Sequence, residues 1–315
     1  MQSRRAKILK YSLSVILAAV LLYFSFRGVE WNEFISTLKE CSWVMVIFSM
    51  LAGLVSYFMR TFRWKLLLRE TAPDANAATC FNAFAIGKMC DFAVPHVCEF
   101  VRCGIVAKRS KSGYDKILGS VVLERCWDVL VLFLLMLILL VTMWTRFGGF
   151  FLESIWHPML ENTNVWVLIS VAALLVAAVV AVLLSKKVRQ FASGIWEGVR
   201  NSFKMKDKWL FLFYTLCMWI MFLLMSLFII WALPEDFGLG LTDALFIMLV
   251  GAFAGLVPVP GGFGAFHYLV AIALSTLYGI PFSMGIIFAT LSHESQAVMT
   301  LLTGIVSYVI EMFRK

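Results

Sequence analysis

Long apolar runs separated by short charged blocks dominate this chain. A membrane-crossing helix needs about 20 apolar residues, with a range of roughly 17–25. Six segments meet that length: 8–26, 43–59, 117–144, 164–184, 209–232 and 283–310. Two further apolar regions do not. Region 78–107 is interrupted by Lys88, Asp91, Pro95, Glu99 and Arg102, and region 242–278 is broken by Val-Pro-Val-Pro-Gly-Gly-Phe-Gly at 257–264. Each half of either region is too short to cross alone. Both are therefore expected to be re-entrant helical hairpins, entering and leaving on one side. Turn backbone at membrane depth is tolerated only where protein buries it or a wet cavity hydrates it. The two breaks thus point to a site.

Composition agrees with this reading. Of the 315 residues, 62% are hydrophobic and 15% charged, against about 45–50% and 25% in soluble domains. A single globule of this length cannot hide so much apolar surface. The net charge of +8 does not indicate nucleic acid, because the charges cluster between apolar runs. With the N-terminus inside, the external loops are 27–42, 145–163 and 233–243. They hold only Arg27, Lys39 and Arg146 of the 27 lysines and arginines. Positive residues concentrate instead at 60–69, 108–116 and 186–208, with Arg314 and Lys315 at the end. This one-sided bias predicts both termini on the cytoplasmic side. Arg4, Arg5, Lys7 and Lys10 before the first run resemble a signal peptide, but no clear small-x-small site follows, so an uncleaved span is expected.

The order of elements repeats. Each half has a span, an amphipathic stretch (Trp31–Glu40, then Val188–Phe203), a second span, a broken hairpin and a long final span. Three crossings per half make the second half upside down. The expected division is a first repeat at 1–145, an external linker at 146–163 and an inverted second repeat at 164–315. Polar spacings agree: Glu99 and Arg125 are 26 residues apart, as are His267 and His293, while Asp128 and Gln296 each follow three residues later. The predicted fold class is an all-α polytopic membrane protein, with six transmembrane helices and two re-entrant hairpins in an inverted repeat. In such architectures the binding site lies where the repeats meet.

Candidate chemistry gathers beside the breaks. Arg125 and Asp128 share a helix face, with Glu124 one turn from Asp128. Charges in a span normally face a partner or a cavity. They read as a structural cluster with Glu99 and Arg102, as an anionic-headgroup site in which Arg102 and Arg125 bind and the carboxylates orient them, or as both at once, since planar guanidinium forks suit phosphate. His267 and His293 lie in otherwise apolar segments, as buried hydrogen-bonding residues, headgroup contacts or a proton-coupled switch. His96 adjoins Pro95 at the first hairpin's expected tip, and His157 falls in an external loop. Pro258, Pro260, Gly261, Gly262 and Gly264 form the second turn. A helix starting near Gly264 would aim its amides at the membrane middle, a place for an anion unless the turn serves packing alone. His293-Glu294 begins like HExxH, but position 297 is Ala. Cysteines 41, 80, 90, 98, 103, 126 and 217 show no zinc spacing and read as small packing residues. No cofactor, metal or catalytic residue is expected.

Four stretches carry a family resemblance: Arg60-Thr-Phe-Arg63-Trp64-Lys65, Pro95 through Glu99 to Arg102, Glu124-Arg125 with Asp128, and Pro260-Gly-Gly-Phe-Gly264. Their order and spacing resemble the lysylphosphatidylglycerol synthase transmembrane-region family. That region is the lipid-flippase half of the bacterial multiple peptide resistance factor and also occurs as stand-alone proteins. The resemblance implies a bacterial-type cytoplasmic membrane and a role in moving lipids between leaflets, typically an aminoacylated phosphatidylglycerol. It also implies re-entrant hairpins in a two-repeat fold. His267 and His293 stand where the family commonly has a glutamate and an arginine, so the headgroup is not carried across. The family's soluble aminoacyl-transferase half is absent from these residues, so a transporter is expected rather than an enzyme.

The reading that follows is a translocase for a phospholipid or related anionic or aminoacylated headgroup. Its expected binding residues are Glu99, Arg102, Arg125, Asp128, His267, His293 and Gln296. The alternative is a membrane-embedded transferase subunit or scaffold, acting with a separate lipid-modifying or glycosyl-transferase partner.

Overall fold

In the computed structural model, residues 2–27, 29–110, 112–145 and 205–314 are described. The expected span 164–184, the stretch Val188–Phe203, the linker 146–163 and His157 lie outside the described residues. All principal elements among the described residues are helical. In chain order they are α1 (Gln2–Phe26), α2 (Trp31–Glu40), α3 (Trp43–Leu68), α4 (Ala77–Cys90), α5 (Cys98–Ser110), α6 (Tyr114–Thr142), α7 (Lys208–Ile230), α8 (Leu241–Ala254), α9 (Ala265–Tyr278) and α10 (Phe282–Phe313). The chain forms two compact units, one of residues 1–122 with 209–315 and one of residues 123–208.

Among the described residues, five stretches are long and apolar enough to cross a membrane: α3, α6, α7, Pro260–Tyr278 and α10. The fourth includes a 3-10 turn in which Gly261 leaves helical geometry, so its regular helix is only the 14 residues of α9. One side of α3 is apolar and exposed, through Val44, Ile47, Phe48, Leu51, Val55 and Phe58. On α10 the same holds for Leu302, Ile305, Val306 and Val309. Water would not leave such faces uncovered in a monomer; hydrocarbon does. This is a multi-pass helical membrane protein.

Both interrupted regions fold back on themselves. α4 and α5 pack together, with Asp91–Val97 between them, and α8 packs on α9 across residues 255–264. These helices have 13 or 14 residues, roughly 20 Å at 1.5 Å per residue. Each regular helix by itself is shorter than a hydrocarbon core of about 30 Å is thick.

α10 packs against members of both hairpins. At its C-terminal end, Glu311 accepts from Asn82 Nδ2 of α4 at 3.0 Å and from Arg109 Nε of α5 at 3.0 Å. Arg314 donates to Thr79 Oγ1 at 2.9 Å. Both outer ends of the first hairpin are thus fastened at that end of α10. The second hairpin joins the opposite end, since α9 stops at Gly279 and α10 begins after Pro281. α3 and α7 are antiparallel neighbours: Ser42 N donates to Ala232 O at 2.8 Å, and Ser49 Oγ to Met225 O at 3.1 Å.

The second span departs from the sequence expectation. It does not end at 59, with Arg60, Arg63 and Lys65 in a loop; α3 continues to Leu68. No Gly or Pro interrupts residues 60–68, and hydrogen-bonding geometry persists where hydropathy falls. Arg63 is fully buried, with its guanidinium 5.7 Å from the Phe211 ring centre. Trp64 is also fully buried and donates from Nε1 to Ser120 Oγ at 3.0 Å. It packs in a core with Leu68, Cys80, Ala83, Cys103, Val106, Ile117 and Val121. Ser120→Ala leaves the indole N–H without that acceptor. It should cost about 1–3 kcal/mol, read as a lowered thermal midpoint of the purified protein.

The cysteines behave as expected of packing residues. All seven are free, and Cys41, Cys80, Cys98 and Cys103 are buried.

Candidate functional site

The two hairpin tips meet. Gly261, at φ 61°, donates its amide to the Asp91 carbonyl at 3.0 Å, and Phe92 lies against Phe263 with ring centres 5.9 Å apart. Positive φ is readily available to glycine alone, which explains why this residue makes the junction. On the first tip, His96 also has positive φ, at 58°. His is among the few non-glycine residues that occur there with any frequency.

Beneath the junction lies a cavity of about 300 Å³. The first hairpin contributes Lys88, Asp91 and His96, and the second contributes Val257, Val259, Gly261 and Gly262. α3 supplies Gly53, Ser56 and Tyr57; α10 supplies His293, Gln296 and Thr300; α7 adds Phe222 and Met225. Apolar walls with a few placed polar groups are the usual make-up of a small-molecule site.

Its charged feature is an ion pair. Lys88 Nζ and Asp91 Oδ2 are 3.0 Å apart, three residues apart on one turn. Asp91 Oδ1 also accepts from Cys98 N at 2.8 Å, capping the start of α5. One carboxylate therefore holds the lysine and closes the tip. Opposite, Tyr57 and Thr300 hydroxyls pair at 2.7 Å. Gln296 Nε2 donates to Ser49 O at 3.0 Å, against the bare Cα of Gly53.

His293 lies at the cavity edge with Nε2 2.9 Å from the Gly261 carbonyl and Nδ1 3.0 Å from Glu294 Oε1. His267 is buried behind it, with Nε2 3.5 Å from the same carboxylate oxygen. One donor atom from each of His267, His293 and Glu294 lies within 4.8 Å of the others. The broken HExxH pattern thus gains a third donor from α9.

The site residues read from the sequence separate into groups. His293 and Gln296 line the cavity, and His267 stands behind His293 with ring centres 5.1 Å apart. Arg102 does not line it: the side chain is fully buried, with its guanidinium 4.6 Å from the Trp64 ring centre. Glu99 is half-buried on α5. Arg125 and Asp128 pair with each other at 3.5 Å in the second unit. Gly264 caps α9 with φ 79° and faces backbone of α1, where an added Cβ would stand 2.7 Å from Leu22 N. That N-terminus is packed on Ala18 and Leu21, so it serves packing. Pro95 lies in the first turn and Pro258 in the second; Pro260 starts the 3-10 turn.

Lys88 and Asp91 entered the sequence reading only as interruptions of an apolar run. Their i, i+3 spacing was the available signal that they pair. Tyr57 and Thr300 carried none, since a hydroxyl inside an apolar helix does not reveal which neighbour it meets.

No curated protein and no solved structure matches the chain. A family model described as the lysylphosphatidylglycerol synthase TM region matches residues 11–304. With nearly its whole length covered, the chain belongs to the lysylphosphatidylglycerol synthase transmembrane-region family.

Proposed function

We propose that the protein moves a lipid headgroup between leaflets through the cavity between its hairpin tips. The observation that carries this reading is the cavity itself, a chamber holding the Lys88–Asp91 pair among helices with lipid-compatible outer faces. Lysine offers three donors and a positive charge to a phosphate, and Asp91 orients it when the headgroup is elsewhere. Acyl chains stay in the bilayer while the headgroup passes. The substrate is a phospholipid or a related anionic or aminoacylated lipid.

The inverted-repeat reading fits the same geometry. The first hairpin is fastened at the C-terminal end of α10 and the second is joined to its N-terminal end. Two hairpins of roughly 20 Å, entering from opposite faces, reach one another inside a core of about 30 Å. With the C-terminus cytoplasmic, the first enters from inside and the second from outside. Parting of the Gly261–Asp91 contact then opens the chamber, and rocking of one repeat on the other alternates access.

Gly53→Leu provides the test. The new side chain falls on Gln296 and Met299 at the cavity wall, on a helix that tolerates leucine well. In liposomes carrying a headgroup-labelled anionic phospholipid, wild type should speed transfer between leaflets. The variant should return the rate to nearly that of protein-free vesicles while keeping its elution profile. Equal rates for both proteins would exclude this cavity as the path.

A further inference from the structure

We infer that His267, His293 and Glu294 form a binding site for a divalent transition-metal ion, with zinc the best-suited ion. The argument begins with hydrogens. A backbone carbonyl only accepts, so His293 Nε2, 2.9 Å from Gly261 O, carries the hydrogen. A neutral imidazole has just one. Nδ1 then presents a lone pair to Glu294 Oε1 at 3.0 Å, and an ionised carboxylate also only accepts. In that neutral form two lone pairs face each other at contact distance; a proton on Nδ1 or a metal ion between the two atoms removes the conflict, and the third donor beside them favours the metal. His267 Nε2, 3.5 Å from the same oxygen, faces that point from α9.

Distances suit a metal. Zinc bonds to nitrogen and carboxylate oxygen at about 2.0–2.2 Å, placing tetrahedral ligands roughly 3.3 Å apart. Two of the three edges are already 3.0 and 3.5 Å. The third closes by a modest approach of two imidazoles whose ring centres are 5.1 Å apart. Two nitrogens and one oxygen favour zinc or a neighbouring transition metal over magnesium or calcium, which prefer oxygen alone. His293 has an outer-shell partner as well, because a metal-bound histidine usually donates its other N–H to a carboxylate or backbone carbonyl. Gly261 O is that acceptor.

Chain geometry gives the ion a mechanical position. It joins α9 to α10 and, through His293, holds the Gly261 turn that touches Asp91. The His267 side chain is buried and that of His293 is 12% exposed, whereas the Glu294 side chain is 42% exposed. The carboxylate is therefore the open side of the three-donor set.

The test reads metal directly and is indifferent to whether lipid moves. Full-length protein in detergent is stripped with a chelator, equilibrated with zinc and desalted. The metal content of wild type should be about one ion per chain above that of His267→Ala, and zinc affinity should fall at least about tenfold in His267→Ala and Glu294→Gln. His96→Ala, at the neighbouring hairpin tip, should match wild type. Cobalt loading of wild type should give the visible bands of a four-coordinate site with nitrogen and oxygen donors, which needs no variant to fold. A proton in place of the metal predicts equal metal content in wild type and His267→Ala and no such cobalt spectrum; that result overturns the assignment.

Discussion

Gly264→Val should lower the thermal stability of the protein steeply, and it should do so by dislodging α1. Gly264 sits at φ 79°, ψ −47°, where a branched side chain is strained by about 1–3 kcal/mol. Its added Cβ would also stand 2.7 Å from Leu22 N and 3.0 Å from Ala18 O. Those are backbone atoms of α1 and cannot swing aside as a side-chain tip could. Forcing them apart adds a further cost of about 1–3 kcal/mol and opens the small cluster of Ala18, Val259 and Ala265. Gly279 is the built-in comparison. It has similar φ, 66°, but nothing within 4 Å of its missing Cβ, so Gly279→Ala pays for strain alone. Thermal unfolding of the two purified variants should rank them clearly, with Gly264→Val far less stable. If both lose the same amount, the close packing of α1 on the second hairpin is not what Gly264 secures.

Much of this fold was legible because lipid imposes a simple grammar. Runs near 20 residues cross, shorter ones cannot, and charged or proline-glycine breaks end them. Expected hairpins at 78–107 and 242–278 appear as helix pairs at 77–110 and 241–278. The failure at α3 has the same origin. Hydropathy alone places Arg60 and Arg63 at the start of a loop, yet aromatic rings receive their guanidiniums, Phe84 for Arg60 and Phe211 for Arg63. Partnering of that kind is tertiary and invisible to a running average. The cavity is similarly a property of four helices and two hairpin turns at once. His293 and Gln296 could be picked out as polar residues in an apolar span, but Lys88 and Asp91 could not be assigned to the same chamber before the tips were seen to meet. Arg102 shows the converse: a buried charge beside a break looks functional in sequence, while its ring contact with Trp64 places it in the core.

Two substitutions at Asp91 should separate the tip's architecture from its charge. Asp91→Ala removes the acceptor for Cys98 N, and losing such a cap typically costs about 1 kcal/mol. It also leaves Lys88 without the carboxylate 3.0 Å away. Asp91→Asn keeps an oxygen that can accept from Cys98 N but discards the negative charge. Thermal stability should therefore fall in the alanine variant and be largely retained in the asparagine variant. Lipid transfer should respond differently, dropping sharply in both, because an uncompensated lysine holds an anionic headgroup too tightly to release it. The double variant Lys88→Met, Asp91→Asn completes the argument. It leaves a neutral chamber of similar volume with the α5 cap in place, so the protein should fold, yet a neutral wall offers a phosphate no counter-charge. Transfer of labelled anionic lipid should stay near the protein-free rate. A neutral chamber that transfers lipid as fast as wild type would remove Lys88 from the mechanism, even if Gly53→Leu still blocks the path.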